Sequence, residues 1–173
     1  KDYVLLVSTV SGAWRYSIGD TIQFTDIEKA EIKITGRTKF FLNTVGSQLS
    51  VNKMDAAMKE VEEQFDVDIS EYTICAKRAE DGEFYHFWYL GASTTDLETS
   101  KVADALDEAL QAANKNYKVA RTKALKGVKV NLIKPEVFYE WNARNKKKGG
   151  QVKMERVMNE EKFEDWEKFV QEH

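Results

Sequence analysis

Residues 71–90 read EYTICAKRAEDGEFYHFWYL, and this stretch decides the fold of the larger part of the chain. Two runs rich in β-branched and aromatic residues, 71–79 and 83–90, are separated by Glu80, Asp81 and Gly82. Because glycine readily adopts the positive φ of tight turns, the spacing predicts a β-hairpin.

Helical patterns lie on both sides of this hairpin. Ahead of it, apolar residues recur every three or four positions after Ser50, which predicts a helix capped there and ending near Phe65. Behind it, residues 96–114 carry a second amphipathic pattern. The candidate caps of this helix are Thr94, Thr95 and Asp96. Its apolar face consists of Leu97, Val102, Ala105, Leu106, Ala109 and Leu110.

Short strands complete the pattern. We predict one at 40–42 and another at 128–133, which ends before the only proline, Pro135. From about residue 39 the order is strand, helix, strand, strand, helix, strand, the ferredoxin-like arrangement. A short helix is predicted after Pro135, and a last helix is predicted to begin near Asn159.

The first 37 residues have a different character. Runs at 3–10, 15–24 and 31–34 predict three strands, with Gly36 ending the third. The predicted fold class is therefore α+β, with a small β subdomain at 1–37 followed by a ferredoxin-like domain at 38–173.

Composition excludes several classes of protein. The chain has 173 residues, 42% of them hydrophobic and 32% charged, with a net charge of -3, which argues against disorder and against a general nucleic-acid binder. No apolar run approaches the roughly 20 residues of a membrane span, so we predict a cytoplasmic protein. One cysteine and two histidines are too few for a typical zinc site. Because the chain starts at Lys1 without a methionine, we also expect a longer parent.

Two features allow a functional and a structural interpretation. The aromatic run 84–89 could stack nucleic-acid bases. A sheet covered by helices also needs such residues in its core, and we favour this structural interpretation. In the same run, His86 has no second ligand nearby and is predicted to be packed or at the surface. The basic run 144–148 could contact phosphate, although such runs are usually solvated.

Three motifs carry residues suited to nucleotide chemistry. Asp20 follows Gly19, and a carboxylate beside an unobstructed backbone suits the vicinal hydroxyls of a ribose. Arg37 lies seventeen residues after Asp20 and directly follows Gly36. Its guanidinium could reach the same sugar or a phosphate. Lys153 stands just beyond two glycines, so a flexible loop could carry its charge into a distant site.

In this order and spacing, the motifs resemble the C-terminal part of the adenylate-forming superfamily, which includes acyl-CoA synthetases and luciferase. A closer resemblance is to the auxin-responsive Gretchen Hagen family of acyl acid amido synthetases and their bacterial-type relatives, and it spans nearly the whole chain. The segments that carry it are Gly12-Ala13-Trp14-Arg15-Tyr16-Ser17-Ile18-Gly19-Asp20, the strand at 84–90, residues 128–138, and Gln151-Val152-Lys153.

This resemblance implies roles for four residues. Asp20 would hold the ribose of ATP, and Arg37 would support the same nucleotide. Lys39 falls at the hinge about which the C-terminal domain rotates. Lys153 would be the catalytic lysine that reaches the α-phosphate and the carboxylate oxygens during adenylation.

The implied parent is an ATP-dependent ligase, with Mg²⁺ accompanying ATP, that forms an acyl-adenylate and passes the acyl group to an amine. Its partners would be a small carboxylic acid, an amino-acid-like amine and the N-terminal adenylating domain of the same chain, with no nucleic acid or membrane. The isolated piece would be inactive.

Two departures from the plant pattern keep alternatives open. The chain reads Lys153-Met154-Glu155-Arg156 where that pattern has Lys-Thr-Pro-Arg, and its Gly-Arg-x-Lys is nearer the acyl-CoA synthetase form. The alternatives are therefore thioester formation with coenzyme A, or a noncatalytic ferredoxin-like binding module.

Overall fold

The chain begins with a three-stranded antiparallel sheet. Its strands β1 (Tyr3–Val7), β2 (Tyr16–Asp26) and β3 (Glu31–Arg37) are ordered β1-β2-β3. The computed structural model describes residues 3–37, 47, 49–145 and 154–173. The sequence predicted that Gly36 ends the third strand, and this prediction was wrong. Gly36 pairs with Thr21 and continues the ladder between β2 and β3.

The described residues from 47 onward form a second three-stranded sheet and five helices, which we call the larger domain. Its elements are α1 (Val51–Phe65), β4 (Ile69–Arg78), β5 (Phe84–Ala92), α2 (Thr99–Ala113), α3 (Lys115–Lys123), β6 (Leu125–Ile133), α4 (Pro135–Arg144) and α5 (Glu160–Gln171). β4 and β5 are antiparallel, while β5 and β6 are parallel and are connected through α2 and α3. The α+β, ferredoxin-like fold is confirmed, and the strand predicted at 40–42 lies outside the described residues.

The hairpin forms as its turn chemistry predicts. Gly82 has a φ of +78°, and its backbone N–H donates to the Ala79 carbonyl. The Ala79 N–H in turn donates to the Glu83 carbonyl, which closes the loop between β4 and β5. The left-handed backbone at Gly82 favours glycine, which has no Cβ.

The second amphipathic helix begins later than predicted. α2 starts at Thr99 with Glu98 as N-cap, so Thr94, Thr95 and Asp96 do not cap it. The Thr94 hydroxyl instead accepts a hydrogen bond from the Asp96 N–H, 3.3 Å away, in the preceding loop. Short polar side chains satisfy local turns as readily as helix ends.

α3 was not predicted and depends on Asn114. This residue ends α2, and its side chain accepts hydrogen bonds from the Asn116 and Tyr117 N–H groups to begin α3. The other predicted helix starts are confirmed: Ser50 precedes α1, Pro135 is in the first turn of α4, and Asn159 caps α5 by accepting from the Lys162 N–H.

Helices cover both faces of the second sheet. On one face, α1 and α2 pack over Ile74, Trp88 and Leu90, and these residues form the larger core. On the other face, the side chains around Tyr89 pack against α4 and α5. The second core consists of Cys75, Tyr89, Phe138, Trp141, Met154, Met158, Phe163, Trp166 and Phe169. None of the helices in the described part of the chain is long and apolar enough to cross a bilayer.

Candidate functional site

The first candidate position, Asp20, lies in a β-bulge of β2. Between the pairs Val4↔Thr21 and Leu6↔Ser17, β1 has one residue and β2 has three. Gly19 lies in this bulge with a φ of +85°. Bulges redirect the following side chain, and they are frequent beside active sites. Asp20 therefore occupies an irregular position in the strand and is partly exposed.

The sheet register brings the backbone of Arg37 opposite Asp20. The two residues are Cα partners across β2 and β3, although seventeen positions separate them in the sequence. For Arg37 the structure describes the backbone. The two positions that the sequence assigned to one nucleotide are thus direct neighbours in the sheet.

The other two predicted site residues, Lys39 and Lys153, lie outside the described residues. The structure resumes at Met154, whose side chain is 6% exposed and belongs to the second core. The chain is therefore fixed within the domain from the residue that directly follows Lys153.

Residues 154–158 run alongside β4, and we call them the docked segment. The Ile74 N–H donates to the Arg156 carbonyl, and the Met158 N–H donates to the Ile74 carbonyl, both at 2.9 Å. Ile74 and Val157 form a parallel bridge. The Thr73 hydroxyl also donates to the Glu155 carbonyl at 2.8 Å. These bonds fix the segment along the edge of the sheet.

Within the docked segment, Arg156 makes contacts that sequence reasoning missed. Its Nη1 lies 2.7 Å from Glu71 Oε2 and 3.1 Å from the Tyr72 carbonyl oxygen. Its guanidinium lies 4.2 Å from the Tyr72 ring centroid. The Tyr72 hydroxyl donates to Asp55 Oδ1 of α1 at 2.6 Å, and burial raises the pKa of that hydroxyl. The only signal in the sequence was an arginine three positions after Lys153.

The aromatic run of β5 is used mainly for packing. Trp88 and Tyr89 are buried on opposite faces of the sheet. Phe87, which is half-buried, is contacted by the chain's own ammonium groups, Lys77 at 4.8 Å and Lys129 at 5.3 Å from its ring centroid. These contacts favour the structural interpretation over base stacking.

His86 is a core residue. It is fully buried, and neither ring nitrogen has a hydrogen-bond partner. Its ring centroid lies 5.6 Å from that of Tyr117. Burial lowers the pKa of His86 to about 3, so the ring is neutral near pH 7. Burial likewise raises the pKa of the Cys75 thiol to about 12, which leaves little of the reactive thiolate.

The described residues contain no group of three or more His, Cys, Asp or Glu side chains placed to hold a metal ion. The candidate site in this part of the chain consists of two separate components. One is the Asp20–Arg37 pair of positions in the first sheet. The other is the docked segment, which directly follows Lys153 in the sequence.

Comparison with known families assigns the chain to a class. Residues 1–37 match the GH3 family central domain, and residues 52–162 match the GH3 family C-terminal domain. The chain belongs to the GH3 family and corresponds to a C-terminal part of it. The resemblance to the Gretchen Hagen family drawn from the sequence motifs is confirmed.

Two solved structures have the same fold. A GH3.15 acyl acid amido synthetase matches 99% of this chain with a TM-score of 0.73 and 18% identity. AtGH3.15 acyl acid amido synthetase in complex with 2,4-DB matches 96% with a TM-score of 0.67 and 21% identity. The chain spans 32% of the length of each of these proteins. No curated protein matches the chain.

Proposed function

We propose that this chain is the C-terminal part of an ATP-dependent ligase that converts a carboxylic acid to an acyl-adenylate and transfers the acyl group to an amine. The observation that carries the proposal is the register of β2 and β3, which pairs Asp20 with Arg37 in a chain of the GH3 family. This pairing places an anionic residue opposite a cationic residue in the sheet, next to the β-bulge that contains Gly19.

We assign residues 1–37 to the end of a larger adenylating domain and residues 38–173 to a mobile C-terminal domain, with Lys39 at the hinge. The family matches support a division near residue 37. Further support comes from the first sheet, whose Phe24, Ile32 and Ile34 side chains are 44%, 45% and 69% exposed. An apolar sheet face of this kind is normally covered by another part of the protein.

The chemistry assigned to each residue follows from its charge. A carboxylate accepts hydrogen bonds only, so Asp20 suits the two ribose hydroxyls of ATP, and Arg37 suits the same nucleotide. As the carboxylate substrate attacks the α-phosphorus and pyrophosphate leaves with the bridging α–β oxygen, negative charge accumulates on the phosphoryl oxygens. A lysine delivered at Lys153 stabilises that charge in the transition state. Mg²⁺ is expected to arrive with the ATP phosphates.

The proposed substrates are a small carboxylic acid, ATP and an amino-acid-like amine. Because the reaction consumes ATP, we place the protein in the cytoplasm. A thiol acceptor is the second candidate, since the sequence Gly36-Arg37-Thr38-Lys39 is nearer the acyl-CoA synthetase form. A noncatalytic binding module would give Asp20 and Lys153 no special importance.

The first test is ATP–pyrophosphate exchange by the full-length protein that carries this chain. Lys153→Ala should reduce exchange roughly a hundredfold or more while leaving the fold intact, since a preorganised charge contributes about 3 kcal/mol to the transition state. Asp20→Ala should raise KM for ATP more than KM for the acid, because a ribose contact serves only the nucleotide. Exchange by Lys153→Ala within twofold of wild type would contradict the assignment of Lys153.

The acceptor is identified by supplying the same protein with acid and ATP, followed by an amino-acid mixture or by coenzyme A. Mass spectrometry of the products distinguishes an amide from a thioester. Amide formation supports the proposal, and thioester formation supports the second candidate.

A further inference from the structure

We propose that the chain carries a small-molecule site beside the β4–β5 hairpin, which binds an organic anion with a flat apolar group. This site shares no residue with the proposed ATP site, and the inference does not depend on the proposed function. We call it the hairpin cleft, and its lining includes Lys77, Glu80, Asp81, Phe87 and Lys129.

The hairpin cleft lies on the same face of the second sheet as the second core. Phe87 is the Cα partner of Cys75 across β4 and β5 and of Lys129 across β5 and β6, so these residues form a row on that face. Cys75 is 1% exposed, whereas Phe87 is half-buried and Lys129 is exposed. The cover over this face therefore ends along the row and leaves a cleft of about 470 Å³. Pockets for small molecules typically measure roughly 300 to 1,000 Å³.

The cationic group of the hairpin cleft is the Lys129 ammonium. Its Nζ lies 4.4 Å from the Tyr85 ring centroid and 5.3 Å from that of Phe87, and it forms no ion pair within the described part of the chain. Lys77 also approaches Phe87, at 4.8 Å, but its ammonium is paired with Glu167 of α5. An aromatic ring attracts a cation without neutralising its charge, so Lys129 can still bind an anion.

The two acidic residues of the hairpin cleft have different environments. Asp81 uses both carboxylate oxygens within the hairpin, because Oδ1 accepts from the Glu83 N–H and Oδ2 accepts from the Tyr85 hydroxyl, each at 2.9 Å. Glu80 is exposed, and its side chain makes no hydrogen bond or ion pair with the other described residues. Of these two acids, Glu80 can therefore be neutralised without disturbing the turn.

These groups define the chemistry of the ligand. The Phe87 ring offers an apolar wall, and the Lys129 ammonium beside it offers one positive charge. A ligand with one carboxylate or phosphate group on a flat apolar body contacts both at once. Contact with the ring excludes water, and the attraction between opposite charges is stronger where water is excluded.

The test is a titration of the 173-residue chain with small anions, followed by amide NMR at low salt near pH 7. Benzoate and phenyl phosphate distinguish a carboxylate from a phosphate ligand, and benzamide is the uncharged analogue of similar shape. Lys129→Gln and Glu80→Gln change the charge of the hairpin cleft. Lys126→Gln is the matched control, because Lys126 is an exposed lysine of the same strand that pairs with Glu83.

We expect both anions to shift the resonances of Phe87, Lys129 and the hairpin, and to saturate with a Kd of about 10 mM or tighter. Benzamide should bind at least about threefold more weakly, because it carries no charge. Lys129→Gln should weaken benzoate binding about threefold or more, and Glu80→Gln should tighten it about twofold. Lys126→Gln should leave the Kd within about 1.5-fold of wild type.

Several results would overturn the inference. The absence of saturable shifts at the hairpin cleft with either anion would show that no such site exists. Equal affinities for benzoate and benzamide, equal losses in Lys129→Gln and Lys126→Gln, or no tightening in Glu80→Gln would each show that the charge of the cleft does not select the ligand. None of these outcomes bears on the proposed function, which the pyrophosphate-exchange assays test separately.

Discussion

At the scale of single residues, the least expected feature is a histidine buried without a hydrogen bond. His86 lies between Ala76 and Val128 in the sheet, with the Tyr117 ring beside it. The charged groups that act on it are Asp107 of α2, which favours protonation, and Arg121 of α3, which opposes it. Burial has the largest effect and Arg121 acts in the same direction, so the two outweigh Asp107 and the pKa of His86 is lowered from 6.5 to about 3.

This shift predicts the direction of a pH effect. The unfolded chain binds a proton on His86 below about pH 6.5, whereas the folded chain does so only near pH 3. The contribution of His86 to stability is therefore fully present above pH 6.5 and is lost as the pH falls towards 3. The free energy of unfolding should decline because of this group by up to about 1.4 kcal/mol per pH unit within that window.

Urea unfolding of the chain at several pH values between 7.5 and 4.5 measures the effect. In His86→Leu the decline should be shallower than in wild type, because the titrating group is absent. Val130→Ala is the control, because it shortens a buried apolar residue of β6 that does not titrate and should lower the free energy of unfolding by a similar amount at every pH. Parallel pH curves for wild type and His86→Leu would contradict the assignment.

At the scale of secondary-structure elements, one carboxylate joins three elements of the larger domain. Asp107 of α2 accepts hydrogen bonds from the Tyr117 hydroxyl at 2.5 Å and from Arg121 Nε at 2.8 Å, both of α3. Arg121 also donates to the Leu125 carbonyl at 2.7 Å, at the start of β6. Burial and the Asp107 charge both raise the pKa of Tyr117, so its hydroxyl remains a donor.

Removing this charge should destabilise the domain. Asp107→Asn leaves Arg121, whose side chain is 22% exposed, without its partner, and we expect a loss of about 2 kcal/mol in the free energy of unfolding at pH 7. Glu98→Gln breaks an exposed pair with Lys101 and should have little effect on the free energy of unfolding. Similar losses for the two variants in urea unfolding would show that the junction is not a stabilising network.

At the scale of the whole molecule, the two sheets differ in how they are covered. The second sheet is packed by helices on both faces, whereas the first exposes Tyr3, Phe24, Ile32 and Ile34 on one face. The register confirms that these residues share a face, because Tyr3 and Ile34 both pair with Ile22, and Ile32 pairs with Phe24. This asymmetry agrees with the proposal that the first sheet completes a larger domain.

That proposal makes the purified chain chemically incomplete. We expect it to fold and to show no ATP–pyrophosphate exchange with any acid, because the proposal assigns only the end of the adenylating domain to this chain. Circular dichroism checks the fold, and exchange with a panel of carboxylic acids checks the activity. The full-length protein serves as the positive control. Robust exchange by the purified chain would refute the division between domains.

The sequence by itself determined the elements whose signals are local. Gly82 set the hairpin, Ser50 and Asn159 marked helix starts, and β-branched and aromatic runs located strands of both sheets, because turns, caps and composition of a run depend on neighbouring residues. The spacing of Gly19-Asp20 and Gly36-Arg37 was also readable. α3 was missed because its start depends on the Asn114 side chain, a cap at the residue where α2 ends.

Only the tertiary structure decided which distant residues meet. The pairing of Asp20 with Arg37 depends on the sheet register, and the Arg156 contact with Glu71 joins residues 85 positions apart. Whether His86 was buried, and whether the second face of the sheet was covered, depended on where α3, α4 and α5 pack. Such contacts arise from burial of apolar surface across the whole domain, and no local pattern encodes which of the available partners is brought into contact.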